Sequence, residues 1–521
     1  MKKFSQIIWN QYKNSEDGKK TISLFRNVYS TSFEAMKVYD IAKEYDERLF
    51  MNASDDERTY DIHYISELYA YLKDGDDEES ILAIASSKEQ KKSFFSWLLK
   101  DDIQLEGEFE DIPQRYFKGE LSGSILDTWV LYSIMPQAFI PNLFALQFHY
   151  LARFAREYDI EMPKVPSRSA YKDRCMYYAD LNQVLLDYAH DNDITVPEEI
   201  CAFWFGLALP LMKEEIESER DSLPETPEQA WLLVGQYGDG ERNMESGFWQ
   251  ANPLTKRGDI MVFYEKSPVK AVNAVWIALD DGVADPFFPF VGYSWIGHKI
   301  EIPADKALTY QDFKNNNYFK NRDKKGNFVS KNFQDCSGWA VTYDDYAEIK
   351  RMLQEKGFDI SVLPSLYEPE GVSAKEIHHE NDVYKKLVTP MLEQMGWKEG
   401  VDFQREVEFA AGHSTTGHAM KKRPDYCLHL SYVGKKVYAK VIIEAKYSMK
   451  NIEELSATFD QCLSYASWGQ AKVMVLCDKD SIYVYEQNKN GQFEFEGHVA
   501  RYHWEQLSNP EIFKELKRKL Q

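Results

Sequence analysis

Several features that would assign this chain to a common class of protein are missing from its sequence. Six cysteines occur in 521 residues and none belongs to a C-x-x-C pair, which argues against zinc ribbons and a disulfide framework. The longest apolar runs fall short of the roughly 20 residues that a membrane-spanning helix needs. The first residues contain no sustained apolar segment typical of a secretion signal. We therefore expect a cytoplasmic protein that does not enter a membrane.

An ATP-binding motif is also missing. The sequence contains no G-x-x-x-x-G-K-[ST], because Gly18-Lys19-Lys20-Thr21 lacks both the earlier glycine and a preceding strand. We expect no recognisable ATPase in the chain, and any motor would have to come from a partner subunit.

A surplus of basic residues, which would favour contact with phosphate, is absent as well. The formal net charge is −22, but the charges are unevenly distributed. Residues 1–222 contain 25 basic and 41 acidic side chains, whereas residues 375–521 contain 21 of each. The N-terminal part is therefore a poor candidate for a surface that meets nucleic acid.

The sequence pattern predicts a multidomain protein with three domains. Residues 1–222 show apolar positions at three- and four-residue spacing and predict an all-α module, for which the sequence indicates no chemistry. Residues 223–362 contain short β-rich runs and predict a β-rich domain with a polar loop over 314–331 and a helix over 344–356. Residues 375–521 alternate in type and predict an α/β domain. Proline-containing linkers separate the three.

Two apolar, β-rich runs in the last domain carry charged residues at their ends. Arg423-Pro424-Asp425 opens one run, and Glu444-Ala445-Lys446 closes the next. Carboxylates on two neighbouring strands can share a hard cation such as Mg²⁺, while the lysine steadies a water molecule or the charge developing on a phosphate. The pattern favours a nuclease. A buried salt bridge between strand-end charges is the alternative interpretation.

These residues resemble the PD-(D/E)xK nuclease superfamily, in the form found at the N-terminus of type I restriction enzyme R subunits. The likeness covers about 380–485, with Pro424-Asp425 matching the PD element and Glu444-Ala445-Lys446 the ExK element. It implies a restriction-endonuclease-like α/β fold in which Asp425, Glu444 and the Ala445 carbonyl bind Mg²⁺ or Mn²⁺. It also implies that Lys446 orients or activates the attacking water.

Three further residues belong to the same resemblance. Gln461 and Tyr465 match a Q-x-x-x-Y found on the following helix in that branch. They lie one turn apart on a helix face, so we expect them to contact the scissile phosphate or the attacking water together. Glu380, on the opening helix of the domain, is expected to be an outer carboxylate.

The middle domain contains Phe248-Trp249-Gln250-Ala251-Asn252 and, further on, Asp285-Pro286. Over about 231–302 it resembles the EVE branch of PUA-like domains, which bind modified bases in an aromatic-lined pocket. The resemblance implies that aromatic rings stack on an extruded base and that Asp285 reads an exocyclic amine. The ring candidates include Trp249, Tyr264, Trp276 and Trp295. An ordinary β-domain core is the alternative for each of them.

Together these features predict a Mg²⁺-dependent DNA endonuclease of bacterial or archaeal defence, acting in modification-dependent restriction. Cleavage of two strands in most of the superfamily needs two active sites, so we expect a homodimer or a higher homo-oligomer. Two alternatives stay open. One is a nucleic-acid-binding or scaffold protein whose nuclease centre is inactive, and the other is a nuclease that acts on RNA or with a partner motor.

Overall fold

The computed structural model forms two compact units. It describes residues 3–30, 32–45, 54–74, 121–144, 147–167, 169–224, 226–237, 244–288, 292–322, 326–372, 376–413, 419–433, 436–497 and 500–521. The first unit consists of Met1–Glu225, Trp231–Val341 and Met352–Leu363, and the second of Thr226–Ala230, Thr342–Arg351 and Pro364–Gln521. The helical N-terminal part and the β-rich middle part thus share the first unit, while the bounds of the three predicted domains stay predictions.

Helices fill the N-terminal part of the first unit. Their bounds are Gln6–Asn14 (α1), Glu16–Tyr29 (α2), Ala35–Tyr45 (α3), Asp55–Asp74 (α4), Leu121–Ile134 (α5), Phe148–Glu157 (α6), Tyr171–Asp191 (α7), Pro197–Cys201 (α8) and Leu209–Glu219 (α9). Ser15 starts α2 by accepting a hydrogen bond from the Gly18 N–H at 3.0 Å. The helical prediction is confirmed for the described part, and residues 75–120 lie outside it. Across the described ranges, no helix has both the length and the apolar character needed to cross a membrane.

An aromatic-rich core holds these helices together. The rings of Phe25 and Trp129 stack with their centroids 5.7 Å apart, and both side chains are fully buried. Burying one such large side chain stabilises the fold by roughly 1.5–3 kcal/mol. The same core includes Phe287 from the β-rich part, so the two parts of the first unit share apolar packing.

The β-rich part of the first unit forms one twisted sheet. Its strands are Ala230–Gly235 (β1), Ser246–Gln250 (β2), Ile260–Glu265 (β3), Ala271–Ala278 (β4), Val283–Ala284 (β5), Gly292–Glu301 (β6), Leu308–Thr309 (β7) and Trp339–Val341 (β8). The order is β2-β6-β4-β3-β1-β8, with β5 beside β6 and β7 beside β4. The prediction of a β-rich part is confirmed.

The predicted polar loop over 314–331 is wrong in its first part. Two short helices, Tyr310–Asn315 (α10) and Asn317–Asn321 (α11), cover this stretch. The side chains of Thr309 and Asn316 cap their starts, and such local hydrogen bonds are not visible in a polar composition. Residues 323–325 lie outside the described part.

Helices and strands alternate along the second unit. The helices are Glu380–Val383 (α13), Thr389–Gln394 (α14), Ile452–Gly469 (α15) and Pro510–Leu520 (α16), while Tyr343–Glu355 (α12) has residues in both units. The strands are Phe403–Arg405 (β9), Phe409–His413 (β10), Ala419–Lys422 (β11), Tyr426–Val433 (β12), Lys436–Ala445 (β13), Val473–Cys477 (β14), Ser481–Glu486 (β15) and Ala500–His503 (β16). The order of the main sheet is β16-β15-β14-β13-β12-β9, and β10 pairs with β11. This architecture is compatible with the predicted α/β domain.

Strand β13 separates two apolar layers of the second unit. Val441, Ile443 and Ala445 belong to the cluster that α13, α14 and α16 cover, whereas Ile442 belongs to the cluster under α15. Because side chains alternate between the two faces of a strand, Glu444 emerges on the same side as Ile442. The strand therefore directs this carboxylate toward α15.

Two wide helical turns each precede a proline. The π-helical segments Ala202–Ala208 and Tyr384–Val388 lead directly into α9 and α14, whose second residues are Pro210 and Pro390. A proline inside a helix lacks the N–H and its ring collides with the carbonyl four residues earlier. A wider turn gives that carbonyl room, so each proline accounts for the irregular turn in front of it.

Candidate active site

The pairing of β12 with β13 brings Asp425 to Glu444. Tyr426 is opposite Ile443 in this antiparallel pair, so Asp425, one residue before β12, lies at the end of β13. Its Oδ2 atom accepts a hydrogen bond of 2.7 Å from the Ala445 N–H. The two predicted acidic residues therefore meet where β12 begins and β13 ends.

The carboxylate of Glu444 has one oxygen with two donors and one without any. Oε1 accepts hydrogen bonds from Lys446 Nζ at 2.7 Å and from Gln461 Nε2 at 2.6 Å. The side chain is buried, and within the described residues Oε2 has no hydrogen-bond partner. A buried polar oxygen without a partner is costly, and either a proton or a cation on this oxygen would offset that cost.

Helix α15 supplies the next two predicted residues. Asn451 caps its start by accepting from the Glu454 N–H at 2.9 Å. One turn apart on the inner face, Gln461 and Tyr465 contact each other, with Gln461 Nε2 donating to the Tyr465 hydroxyl at 2.9 Å. The predicted Q-x-x-x-Y pair thus lies against Glu444.

Glu380 reaches the site through a residue that the sequence analysis did not identify. The hydroxyl of Tyr384 lies 2.7 Å from Glu380 Oε1 and 3.0 Å from Asp425 Oδ1. Burial and the neighbouring charge of Asp425 raise the pKa of Tyr384, so its hydroxyl stays protonated and can donate. The spacing of four residues between Glu380 and Tyr384 in a predicted helix was the available signal.

Burial, and after it the neighbouring negative charges, raise the pKa values of both Asp425 and Glu444. Burial, followed by the negative charge of Asp425, raises the pKa of Glu444 to about 7. Burial also raises the pKa of Asp425, although hydrogen bonds from Ala445 and Tyr384 oppose this. The charge of Glu380 adds to both effects. The site therefore favours a positive charge placed among these carboxylates.

Lys446 supplies part of that charge. Burial lowers the pKa of Lys446, but the hydrogen bond and the charge of Glu444 outweigh burial and raise it. The ammonium group therefore stays protonated at neutral pH. Its side chain is 26% exposed, against 2% for Glu444, so the lysine connects the buried carboxylate with solvent.

The residues fit a hard divalent cation with few protein ligands. In the described ranges, no group of three or more His, Cys, Asp and Glu side chains is arranged to hold a metal. Mg²⁺ usually keeps several waters and binds through one or two carboxylates, so Asp425, Glu444 and the Ala445 carbonyl are a sufficient set. The unpartnered Glu444 Oε2 is the observation that supports this fit.

The predicted base-reading residues do not converge on one pocket. Trp249 and Trp276 belong to an apolar cluster on one face of the first unit's sheet. Tyr264 stacks on Phe333 with the ring centroids 3.8 Å apart. The guanidinium carbon of Arg220 lies over the ring of Trp295, 4.5 Å from the centroid of that ring. The packing of these rings matches the alternative of an ordinary β-domain core, and a base-reading role stays a prediction.

Asp285 is fully buried rather than open to a base. Its Oδ1 atom accepts from the Phe287 N–H at 2.8 Å. Arg174 donates to the carbonyls of Pro286 and Phe288, at 2.9 and 2.5 Å. Burial raises the pKa of Asp285 to about 7, opposed by its hydrogen bonds and by the charge of Arg174. The segment 285–288 is thus anchored to helix α7 of the same unit.

A cavity of about 480 Å³ lies elsewhere in the first unit. Charged side chains dominate its walls, and none of the predicted base-reading residues lines it; the lining residues are His149, Ala152, Arg153, Arg156, Ile216, Glu219, Arg257, Asp280, Asp281, Gly282, Val283 and Ala284. Arg153 pairs with Glu219 at 2.7 Å and Arg156 with Asp281 at 3.2 Å. The first pair connects helix α6 to helix α9, and the second connects α6 to the turn after β4.

Comparison of the chain with protein-family models, curated proteins and solved structures gave no significant match. The interpretation of the site therefore depends on its geometry and on the sequence motifs.

Proposed function

We propose that the chain is a divalent-metal-dependent endonuclease that hydrolyses phosphodiester bonds in DNA. The observation that carries the proposal is the arrangement around Glu444. One of its oxygens is held by Lys446 and Gln461, at 2.7 and 2.6 Å, while the other is buried and has no hydrogen-bond partner among the described residues. A salt bridge explains the contact between Lys446 and Glu444 Oε1. It does not explain why Oε2 is buried without a partner among the described residues.

Each side chain has a role that follows from its contacts. A divalent cation held by Asp425, Glu444 and the Ala445 carbonyl supplies Lewis-acid chemistry for phosphodiester hydrolysis. Lys446 donates hydrogen bonds toward the phosphate and offsets the charge that develops there. The hydrogen bond and the charge of Glu444 raise the pKa of Lys446, so Lys446 is a charged donor before a cation binds.

Gln461 and Tyr465 complete this arrangement from α15. The amide of Gln461 donates to Glu444 Oε1, so Oε2 is the oxygen of this carboxylate that would hold the cation. The Tyr465 hydroxyl accepts from Gln461, which holds the two side chains together on the face of α15 that meets Glu444. Holding site groups in one geometry before the substrate arrives is a large source of rate acceleration.

Plasmid cleavage tests the proposal. Purified full-length chain is incubated with supercoiled plasmid and Mg²⁺ or Mn²⁺, without nucleotide, and nicked and linear products are quantified on gels. We expect cleavage that EDTA abolishes. Asp425→Ala, Glu444→Gln and Lys446→Met should each reduce the rate by about 100-fold or more, because each removes charge stabilisation at the reacting phosphate.

Asp402→Asn is the matched control, since Asp402 caps a turn in the same unit by accepting from the Lys398 N–H at 2.9 Å. It should cleave at the wild-type rate. Wild-type activity in the three site variants would favour the inactive scaffold interpretation. RNA tested in parallel, and plasmid tested with a partner motor, cover the other alternative.

The proposal extends to recognition and assembly as expectations with their own measurements. Plasmids that differ only in cytosine modification test modification-dependent restriction, and equal cleavage of both would remove base reading while leaving the nuclease intact. Light scattering coupled to size-exclusion chromatography tests the expected homodimer. Two active sites are needed to cut two strands. A monomer that only nicks DNA would therefore contradict the expected homodimer but not the proposed nuclease activity.

A further inference from the structure

The Tyr384 hydroxyl contacts two carboxylates that come from different elements. It lies 2.7 Å from Glu380 Oε1 on α13 and 3.0 Å from Asp425 Oδ1 before β12. A phenol has one proton, so it donates to only one of these oxygens at a time. The other oxygen then lies beside the first carboxylate without that proton, in a cluster of like charges.

The backbone of Tyr384 is fixed by the neighbour of Asp425. The hydroxyl of Tyr426, a fully buried residue, donates to the Tyr384 carbonyl at 3.2 Å. Thr389 lies 2.8 Å from the same hydroxyl. Two consecutive residues, Asp425 and Tyr426, therefore bind the side chain and the backbone of Tyr384 separately.

The wide turn that begins at Tyr384 belongs to this arrangement. The π-helical segment Tyr384–Val388 follows α13 directly, and the Thr389 N–H bonds back to the Tyr384 carbonyl. Single π turns occur often at functional sites because they re-aim side chains on a helix. Here the turn coincides with the residue that joins Glu380 to Asp425.

We propose that Tyr384 is a positioning residue that holds Glu380 beside the cation site of Asp425 and Glu444, so that Glu380 serves as an outer carboxylate for the bound metal. This inference rests on the proposed function. It assigns a role that neither the PD nor the ExK element contains. Groups that orient metal ligands from outside typically change metal affinity or activity by about 10- to 100-fold when they are removed.

Binding of Mn²⁺ alone to the full-length chain tests the inference without reference to catalysis. Free Mn²⁺ is measured by electron paramagnetic resonance during titration of wild type, Tyr384→Phe, Glu380→Gln and the double variant. We expect Tyr384→Phe to weaken binding about 10-fold. In the Glu380→Gln background the same change should matter less than about twofold, because the negative charge that Tyr384 holds beside the cation site is already gone.

Tyr502→Phe is the matched control. Tyr502 donates to Glu515 Oε1 at 2.9 Å in the same unit, away from the site, so its loss removes the same kind of bond and should leave Mn²⁺ binding unchanged. If Tyr384→Phe binds Mn²⁺ like wild type, or weakens binding equally with and without Glu380, the inference is wrong. If Tyr384→Phe does not fold, wild-type affinity in Glu380→Gln overturns it instead.

Asp425→Ala separates this failure from failure of the proposed function. Loss of Mn²⁺ binding in Asp425→Ala together with normal binding in Tyr384→Phe rejects only the role of Tyr384. Normal binding in Asp425→Ala rejects the metal site itself, and with it the inference.

Discussion

Gln461 donates a hydrogen bond of 2.6 Å to the Oε1 atom of Glu444, and this bond links helix α15 to the end of strand β13. Because Lys446 donates to the same oxygen, both donors orient the carboxylate in one direction. The other oxygen has no hydrogen-bond partner in the part of the chain that the structure describes. The bond therefore brings a side chain of helix α15 into contact with the carboxylate on which the proposed chemistry depends.

Replacing Gln461 tests this relationship. Gln461→Leu should lower cleavage about 10- to 100-fold, because the carboxylate loses the donor that orients it, while the thermal unfolding midpoint changes little. Gel-based cleavage rates and calorimetry measure the two quantities. Gln487→Leu is the control, since Gln487 donates to the Ala471 carbonyl at 3.0 Å in the same unit; equal rates in both variants would contradict the prediction.

A pair of substitutions distinguishes a structural salt bridge from a catalytic lysine. Lys446→Met leaves the buried Glu444 without its counter-charge and should destabilise the second unit by about 3 kcal/mol. The double variant Lys446→Met with Glu444→Gln should recover much of that stability but no cleavage. Urea unfolding and plasmid assays give the two readouts. Recovery of cleavage along with stability would support the salt-bridge interpretation.

Asp285 predicts a pH dependence of stability in the first unit. Its pKa is about 7 in the folded protein but about 3.9 in an unfolded chain, so the folded state keeps a proton that the unfolded state releases. Stability should therefore fall as pH rises from about 4 to about 7 and then level off. Asp285→Asn, which is neutral throughout, should gain up to about 4 kcal/mol near pH 8 and much less near pH 5.

Urea unfolding at these two pH values measures the gain. Asp359→Asn is the control, because Asp359 is exposed and hydrogen bonds from Ser361 lower its pKa, so it should gain nothing at the higher pH. A gain for Asp285→Asn that is the same at both pH values would show that its carboxyl does not titrate in this range.

Arg220, which is half-buried, forms an ion pair with the buried Asp280 in the first unit, with bonds of 2.8 and 2.6 Å. Arg220→Met should destabilise the unit by about 3 kcal/mol, because it leaves Asp280 buried without a partner charge. Adding Asp280→Asn should restore part of the loss. Lys213→Met, which removes an exposed pair with Glu217, should cost less than about 0.5 kcal/mol. Urea unfolding midpoints check the order of these variants, and equal losses would contradict it.

The sequence was sufficient for the elements that present the two acids and the lysine. The apolar run before Glu444 predicts a strand from its residue types alone, and β13 extends over Lys436–Ala445. The spacing of Gln461 and Tyr465 predicts a shared helix face, because a helix repeats every 3.6 residues. Local periodicity and motif spacing therefore identify the side chains that can face one another at the candidate site. The structure of the second unit is compatible with the predicted α/β arrangement.

Only the tertiary structure decided how those elements pack and what the packing leaves without a partner. Sequence spacing cannot show that Glu444 Oε2 is buried without a hydrogen-bond partner among the described residues or that Tyr384 bridges Glu380 and Asp425. These facts depend on which helix lies against which strand. The same limit applies to the first unit. Trp249 and Trp295 are the same type of residue on paired strands, but Trp249 packs against an apolar cluster whereas Trp295 lies under the Arg220 guanidinium. Alternation along a strand assigns residues to faces, but the partner of each face is set by long-range packing.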